Sequence, residues 1–393
     1  MSASSLEPLT GCGIMGILKC VAGMGGVLPM IHGPLSCSAG YRMAMLFADV
    51  EPLLPTTAII DKDLVLGQAD RLEKAMDEAF RLYKPLLLIV ITTCATAMTG
   101  EDYSRVIENY ERKHGAMALL LDGSALSGDE IDAAYVTFES LCRKLSIPQV
   151  PQASSDVLVL EGLARSDYGF SLNWEALSAL LAKYMGLKLQ KGLVAGLDLT
   201  VELDCYRTAP KLFISLLWQQ NTTIIPAPIG LDGTMDFLNA VASACGVPIA
   251  KEAEAAYENA KKIIKPYADA LHAAALPVGV EAAGWYGYAL AKFLKRELGC
   301  HVLLSVDRQN PSIPPEDVCD RFLENVGRFE LVSLMEEYGC RMVFGSSNTQ
   351  MDDNWDYIPF FQPVWRVAKE VHSCFGFDNA VYLAKRLAEG VRI

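Results

Sequence analysis

The sequence lacks an apolar run of transmembrane length, and it has little positive charge. No stretch reaches the ~18 consecutive apolar residues that a membrane-spanning helix requires. The N-terminal segment MSASSLEPLT has neither the basic nor the apolar region of a secretory signal peptide. The net charge of −13 argues against nucleic acid and anionic membranes as partners, because both bind basic surfaces. We therefore expect a cytoplasmic protein.

Two common nucleotide-binding patterns are also missing. Gly279, Gly284 and Gly287 lie close together, but they do not have the G-x-G-x-x-G spacing of dinucleotide-binding proteins. Close packing of a strand against a helix is the simpler role for these glycines. The chain has no G-x-x-x-x-G-K sequence, so we do not expect it to bind ATP itself.

The chain has the composition and periodicity of a multidomain α/β protein. Its 393 residues are 51% hydrophobic and 21% charged, which is typical of a globular protein with more than one domain. Short apolar strands alternate with amphipathic helices, a pattern that predicts mostly parallel sheets. The clearest unit is a helix over 69–85 followed by a strand over 86–91. A long helix is predicted over 251–275, and a helix followed by a strand over 209–230.

Three similar α/β units account for this pattern. The segment SIPQVPQASSD contains two prolines and a serine pair, which indicates a boundary near residue 150. We predict domains over 1–150, 151–270 and 271–393.

Eleven cysteines are many for a chain of this length. In a reducing compartment they are not expected to form disulfides, so each is inert packing, a reactive thiol or a metal ligand. Most should pack as small hydrophobic side chains. Cys142, Cys300, Cys319 and Cys340 fit this interpretation, because each lies in or beside a predicted helix with no neighbouring ligand type.

Cys12, Cys37 and Cys94 differ from the others because glycine, serine or threonine residues flank each of them at a turn. Loops that follow parallel strands meet at one edge of a sheet, where ligand sites form. Flanking glycines allow backbone N–H groups to approach a bulky inorganic group. The spacings of 25 and 57 residues are too long for a zinc finger or a bacterial ferredoxin. Three buried cysteines at turns are the alternative interpretation.

Three thiolates are one ligand short of the four that usually hold a cubane iron–sulfur cluster. If these cysteines bind such a cluster, a partner chain or a second copy of this chain must complete the site.

Several motifs resemble the subunits of nitrogenase component 1 and its relatives. The motifs are GCGIMG, IHGPLSC and TTCATAMTGEDY, with FGSSNTQ and GFDNAVYLAKRL in the last third of the chain. Residues 226–249 are similar to the β-type subunit in particular. The resemblance implies three Rossmann-like domains, with the cluster-binding domain over 1–150.

The resemblance also implies a cofactor and two partners. Cys12, Cys37 and Cys94 would bind an iron–sulfur cluster at a subunit interface, of the 8Fe-7S P-cluster type or the 4Fe-4S type. A homologous α-type subunit would complete an α2β2 assembly. An ATP-dependent iron protein with its own 4Fe-4S cluster would deliver single electrons.

Two further residues match the family in part. Ser124 falls near a serine that can bind the oxidised cluster in the β-type subunit, although a helix N-cap is the alternative role. Cys205, in the sequence CYR, resembles the cofactor cysteine of the α-type subunit. His372 and Cys374 are out of register with the histidine that would accompany it, so a packed cysteine at a helix start is the alternative.

We therefore expect an electron-transfer subunit of a nitrogenase-like reductase, which relays electrons from the iron protein to a catalytic metallocluster. The chain is shorter than nitrogenase subunits, which disfavours dinitrogen reduction as its reaction. Among the other enzymes that the resemblance implies, we favour the β-type subunit of a methylthio-alkane-reductase-like enzyme. The alternatives are a tetrapyrrole-reductase subunit, a scaffold for metallocluster assembly, and a cluster-free binding protein.

Overall fold

The structure, a computed structural model, describes residues 11–46, 50, 53–148, 156–214, 224–282, 285–309, 313–345, 355–361 and 372–391. The helices are α1 (Gly13–Val21), α2 (Leu35–Leu46), α3 (Asp61–Leu66), α4 (Ala69–Tyr83), α5 (Cys94–Ala97), α6 (Ser104–His114), α7 (Glu130–Lys144), α8 (Phe170–Met185), α9 (Leu203–Thr208), α10 (Gly230–Cys245), α11 (Lys251–Ala274), α12 (Trp285–Lys292), α13 (Arg328–Glu337) and α14 (Phe377–Val391). The strands are β1 (Val27–His32), β2 (Leu87–Thr92), β3 (Met117–Asp122), β4 (Val157–Glu161), β5 (Lys188–Lys191), β6 (Lys211–Phe213), β7 (Pro277–Glu281), β8 (His301–Val306), β9 (Arg321–Glu324), β10 (Met342–Gly345) and β11 (Asp356–Pro359).

The strands form three sheets, and every pairing between them is parallel. The strand orders are β1-β2-β3, β5-β4-β6 and β11-β10-β7-β8-β9. The predicted α/β fold with mostly parallel sheets is therefore confirmed. The domain boundaries stay a prediction, and the proposed boundary segment at 149–155 lies outside the described residues.

The first sheet follows the sequence pattern closely. All six residues of β2 are buried, in agreement with its continuous apolar sequence. The preceding helix, α4, buries Leu72, Met76 and Ala79, which recur at helical spacing on one face. The chain leaves α4 through Lys84 in the left-handed conformation and enters β2 three residues later.

The helix predicted at the start of 209–230 is wrong. Lys211–Phe213 is strand β6, which pairs with β4. Leu212 and Phe213 are buried in that position, so the free energy of packing within the sheet outweighs local helix propensity. Residues 215–223 lie outside the described residues.

The three sheets share their hydrophobic cores. One core joins the second and third sheets with helices α8, α10, α11 and α14. Another joins the first sheet to Val159 and Phe213 of the second sheet. Cys300, Cys319 and Cys340 are buried, and the half-buried Cys142 packs against the second of these cores, so their predicted packing role is confirmed. Within the described ranges, every helix is too short or too polar to cross a membrane.

Helices α1 and α7 pack in close contact, and glycine makes this possible. A Cβ atom at Gly16 would collide with the backbone oxygen of Glu130 and would lie 2.9 Å from the backbone nitrogen of Ala134. The small residue therefore fixes how near α1 lies to α7, and with it the position of Cys12, which immediately precedes α1.

Candidate metal centre

Two of the three predicted ligands follow neighbouring strands. Cys37 lies in the first turn of α2, after β1, and Cys94 is the first residue of α5, after β2. Strands β1 and β2 are adjacent and parallel, and His32 pairs in register with Thr92 at their carboxyl ends. The two cysteines therefore emerge from the same edge of the first sheet.

The third cysteine reaches this edge from a different direction. Cys12 occupies the N-cap position of α1, and the N–H of Ile14 donates a hydrogen bond of 3.0 Å to the carbonyl oxygen of Gly123. Gly123 immediately follows β3. The start of α1 is thus tied to the carboxyl end of β3, beside the loops that carry the other two cysteines.

The three thiols form one group, which we call the cysteine cradle (Cys12, Cys37 and Cys94). Burial raises the pKa of Cys37, and negative charge on Cys12 and Cys94 raises it further. Both other sulfur atoms are therefore close enough to act electrostatically on Cys37. Cys94 is exposed, whereas Cys12 and Cys37 are half-buried, so the cradle opens at the surface of the chain.

Two neighbouring groups contact the cradle sulfurs. The hydroxyl of Tyr41 lies 2.6 Å from the Sγ of Cys12. The backbone N–H of Ala125 donates a hydrogen bond of 3.4 Å to the Sγ of Cys94. Hydrogen bonds to ligand sulfurs are among the features that tune iron–sulfur clusters.

The donor set fits a cluster better than a single ion. Within the described part of the chain, no three His, Cys, Asp or Glu side chains are arranged to share one metal ion. In an iron–sulfur cluster each thiolate binds a different iron, so the ligands can lie farther apart. After burial, negative charge on Cys12 and Cys94 contributes to the raised pKa of Cys37, and bound metal cations would offset this repulsion between thiolates.

Exposed apolar residues lie close along the chain to the residues that form or contact the cradle. We call Leu35, Met98 and Leu126 the apolar rim; their side chains are 63%, 77% and 67% exposed. Leu35 and Met98 are on or next to the helices that carry Cys37 and Cys94, and Leu126 follows the Ala125 that contacts Cys94. Grouped exposed apolar residues are typical of protein–protein interfaces.

Ser124 lies beside the cradle, but it does not cap a helix as the alternative interpretation proposed. Asp129 caps α7, and its carboxylate accepts the N–H groups of Ile131 and Asp132. Ser124 is buried in the preceding turn, and its hydroxyl lies 3.4 Å from that of Ser127. Its role as a cluster ligand stays a prediction.

Cys205 does not pack against the core, so that interpretation is wrong. It lies in the first turn of α9 and is exposed, because Tyr206 takes the buried position on this short helix. Cys205 is not among the groups that shift the pKa of Cys37. A cofactor role for Cys205 stays a prediction.

Sequence reasoning missed Tyr41 as a neighbour of the cradle. Tyr41 lies four residues after Cys37 on α2, and residues at this spacing share a helix face. That spacing is the signal that could have identified it.

Comparisons with known proteins agree with the resemblance seen in the motifs. The family model described as nitrogenase component 1 type oxidoreductase matches residues 12–392. A similar curated protein is the nitrogenase molybdenum-iron protein beta chain of Frankia alni, with 24% identity over 288 residues, which covers 64% of this chain and 54% of the beta chain. The chain thus spans about half the length of the curated relatives it matches.

Two relatives have other roles. Component CfbD of the Ni-sirohydrochlorin a,c-diamide reductive cyclase complex of Methanothermobacter thermautotrophicus is 26% identical over 120 residues, or 30% of this chain and 33% of CfbD. The nitrogenase iron-molybdenum cofactor biosynthesis protein NifE of Methanosarcina barkeri is 25% identical over 124 residues, or 30% of this chain and 27% of NifE.

The fold is that of a solved nitrogenase structure. The structure of nitrogenase Cp1 at pH 6.5 superimposes with a TM-score of 0.76 at 14% identity, covering 98% of this chain and 93% of that chain.

Proposed function

The chain belongs to the nitrogenase component 1 type oxidoreductase family, and from this premise we propose that it is the electron-relaying subunit of a nitrogenase-like reductase. The cysteine cradle binds an iron–sulfur cluster at an interface with a homologous subunit. An ATP-dependent iron protein supplies single electrons, and the catalytic metallocluster lies on the partner subunit.

The observation that carries this proposal is the cradle itself. Three thiols meet at one sheet edge, and one of them, Cys94, is exposed. Three ligands are fewer than the four usual for a cubane cluster, so a second chain has to supply the rest. The apolar rim supports this arrangement, because a covering subunit would bury those exposed side chains.

The residues of this chain hold the cluster in three ways. Cys12, Cys37 and Cys94 bind iron as thiolates. The N–H of Ala125 and the hydroxyl of Tyr41 contact two of the sulfurs and stabilise their negative charge. The apolar rim, once covered, keeps water away from the site. The bound cluster itself supplies one-electron redox chemistry.

The reaction of the whole complex is a reduction. We favour the β-type subunit of a methylthio-alkane-reductase-like enzyme, and a tetrapyrrole reductase is the nearest alternative because of the similarity to CfbD.

A second candidate function is a scaffold on which a metallocluster is assembled before transfer, which the similarity to NifE favours. An electron relay turns over substrate when the iron protein and ATP are supplied. A scaffold transfers its cluster to an acceptor without turnover.

The experiment is anaerobic co-purification of the chain with the products of neighbouring genes, followed by iron analysis and a turnover assay. About four irons per subunit pair indicate a cubane and about eight indicate a double cubane. ATP-dependent turnover supports the relay, whereas cluster transfer without turnover supports the scaffold. A complex purified under strict anaerobiosis without stoichiometric iron would refute both functions.

We expect Leu126→Asp to weaken association with the partner subunit by roughly tenfold or more, since it places a charge in a desolvated interface. Co-purification yield and dissociation constant measure the effect. Leu82→Asp is the matched control: Leu82 is 54% exposed, and it lies near the end of α4, at the opposite edge of the first sheet. Equal effects of the two substitutions would contradict the assignment of the rim.

A further inference from the structure

A buried ion pair lies behind the cradle. Lys19, on α1, pairs with Glu130, the first residue of α7, and both side chains are buried. The other carboxylate oxygen of Glu130 accepts the N–H of Gly11 at 2.8 Å. Gly11 directly precedes Cys12. Glu130 therefore contacts both the backbone next to a cradle cysteine and the ammonium group of Lys19.

Asp307 faces this ion pair from the third sheet. It directly follows β8 and is half-buried, but its Oδ2 atom is buried and has no hydrogen-bond partner among the described residues. The charged groups that face it come from three elements: Glu281 at the end of β7, Asp129 and Glu130 at the start of α7, and Lys19 on α1.

The neighbouring cation does not neutralise Asp307. The guanidinium of Arg308 lies 2.8 Å from a carboxylate oxygen of Asp129 and 2.9 Å from one of Asp132. Lys19 is already paired with Glu130. The ammonium of Lys19 therefore faces more negative charge than it can balance.

This surplus of acid groups favours bound protons. Burial raises the pKa of Asp307 to about 8, and the negative charges of Glu281 and Glu130 add to the effect of burial. Burial also raises the pKa of Asp167, which faces Lys19 too, to about 7. Near neutral pH these carboxyl groups therefore exchange protons readily when the charge around them changes.

We propose that Asp307 is a proton-uptake site coupled to the cysteine cradle, so that an electron arriving at the cradle is accompanied by a proton binding to the Asp307 carboxylate. The proposal rests on the function proposed above. The iron protein donates the electron, and the solvent supplies the proton. One O–H bond forms on Asp307, so charge and atoms balance.

The coupling is electrostatic. From Cys12 to Lys19 the helix rises about 10 Å, at about 1.5 Å per residue. Lys19 and Asp307 act on each other electrostatically, so a charge at the cradle lies about this far from the charged groups around Asp307. At an effective dielectric constant of about 20, a unit charge about 10 Å from a carboxyl group changes its proton affinity by roughly tenfold. Proton uptake is then largest at pH values between the pKa of Asp307 when the cradle is oxidised and its higher pKa when the cradle is reduced.

Redox titration of the iron-loaded complex between pH 7 and 10 tests the coupling. Because reduction binds a proton, the midpoint potential of the wild type should fall as the pH rises. In Asp307→Asn this fall should shrink by at least half. A wild-type potential that does not change with pH would overturn the proposal, and this result does not depend on the folding of any variant.

Glu297→Gln provides the matched control. Glu297 is also a half-buried carboxyl, and burial raises its pKa to about 8. Its carboxylate instead accepts the N–H groups of Leu231 and Asp232 at the start of α10. The variant should keep the wild-type pH dependence, and the same loss in both variants would overturn the assignment to Asp307.

Infrared spectroscopy of the iron-free chain at pH 7 provides a readout that does not need the cluster. The carbonyl band of a protonated carboxyl group should be present in the wild type and weaker in Asp307→Asn. An unchanged band would refute proton binding at Asp307. A complex that binds no iron would overturn the proposed function and the coupling together. Bound iron with a pH-independent potential would overturn the coupling alone.

Discussion

Replacing Cys94 by alanine is expected to abolish stable binding of the interface cluster. The substitution removes one of the three thiolates that we propose as cluster ligands, and it also leaves the N–H of Ala125 without its sulfur acceptor. Because Cys94 is exposed and begins a short helix, the alanine itself should cost the chain little stability. Iron content should fall to less than half of the wild-type value, and ATP-dependent electron transfer should be lost.

Cys142→Ala is the matched control for this prediction. Cys142 is half-buried on α7, and it packs against the core that contains the first sheet. Burial raises the pKa of its thiol to about 12, which disfavours the thiolate that binds metal. Iron content and electron transfer should stay at the wild-type level. If Cys94→Ala also kept full iron content, the ligand assignment would be wrong.

The fold was predictable where local sequence and tertiary packing agree. The apolar run that forms β2 and the helical spacing of Leu72, Met76 and Ala79 identify their elements without further information. At Lys211–Phe213 the two disagree, because the strand exists only through its pairing with β4. Such pairing joins residues about fifty positions apart, and no local pattern encodes it.

The site was predictable to a similar extent. Cys12, Cys37 and Cys94 could be selected because each follows a turn, and parallel strands bring such turns to one edge. The environment of Asp307 could not be inferred, because its neighbours come from α1, α7 and β7. The packing of these elements against one another determines which charges meet, and the sequence around Asp307 does not record it.

Gly16→Ala is expected to be the most destabilising of the substitutions considered for the scaffold of the cradle. Alanine normally stabilises a helix interior by about 1 kcal/mol relative to glycine. At Gly16, however, the added Cβ would collide with the backbone oxygen of Glu130 and lie 2.9 Å from the nitrogen of Ala134. Backbone atoms cannot change rotamer, so α1 has to move away from α7 at a cost of about 3 kcal/mol. The collision therefore outweighs the gain in helix propensity.

Gly40→Ala separates the gain in helix propensity from the cost of the collision. Gly40 lies on α2, and a Cβ atom there would meet nothing within 4 Å. This substitution should raise the free energy of unfolding by up to about 1 kcal/mol, whereas Gly16→Ala should lower it by about 2 kcal/mol net. Denaturant unfolding of the two variants measures both values. Because Cys12 directly precedes α1, Gly16→Ala should also reduce iron content, although it removes no ligand. A Gly16→Ala variant as stable as Gly40→Ala would show that α1 can move from α7 at little cost, and the close packing would then not be what positions Cys12.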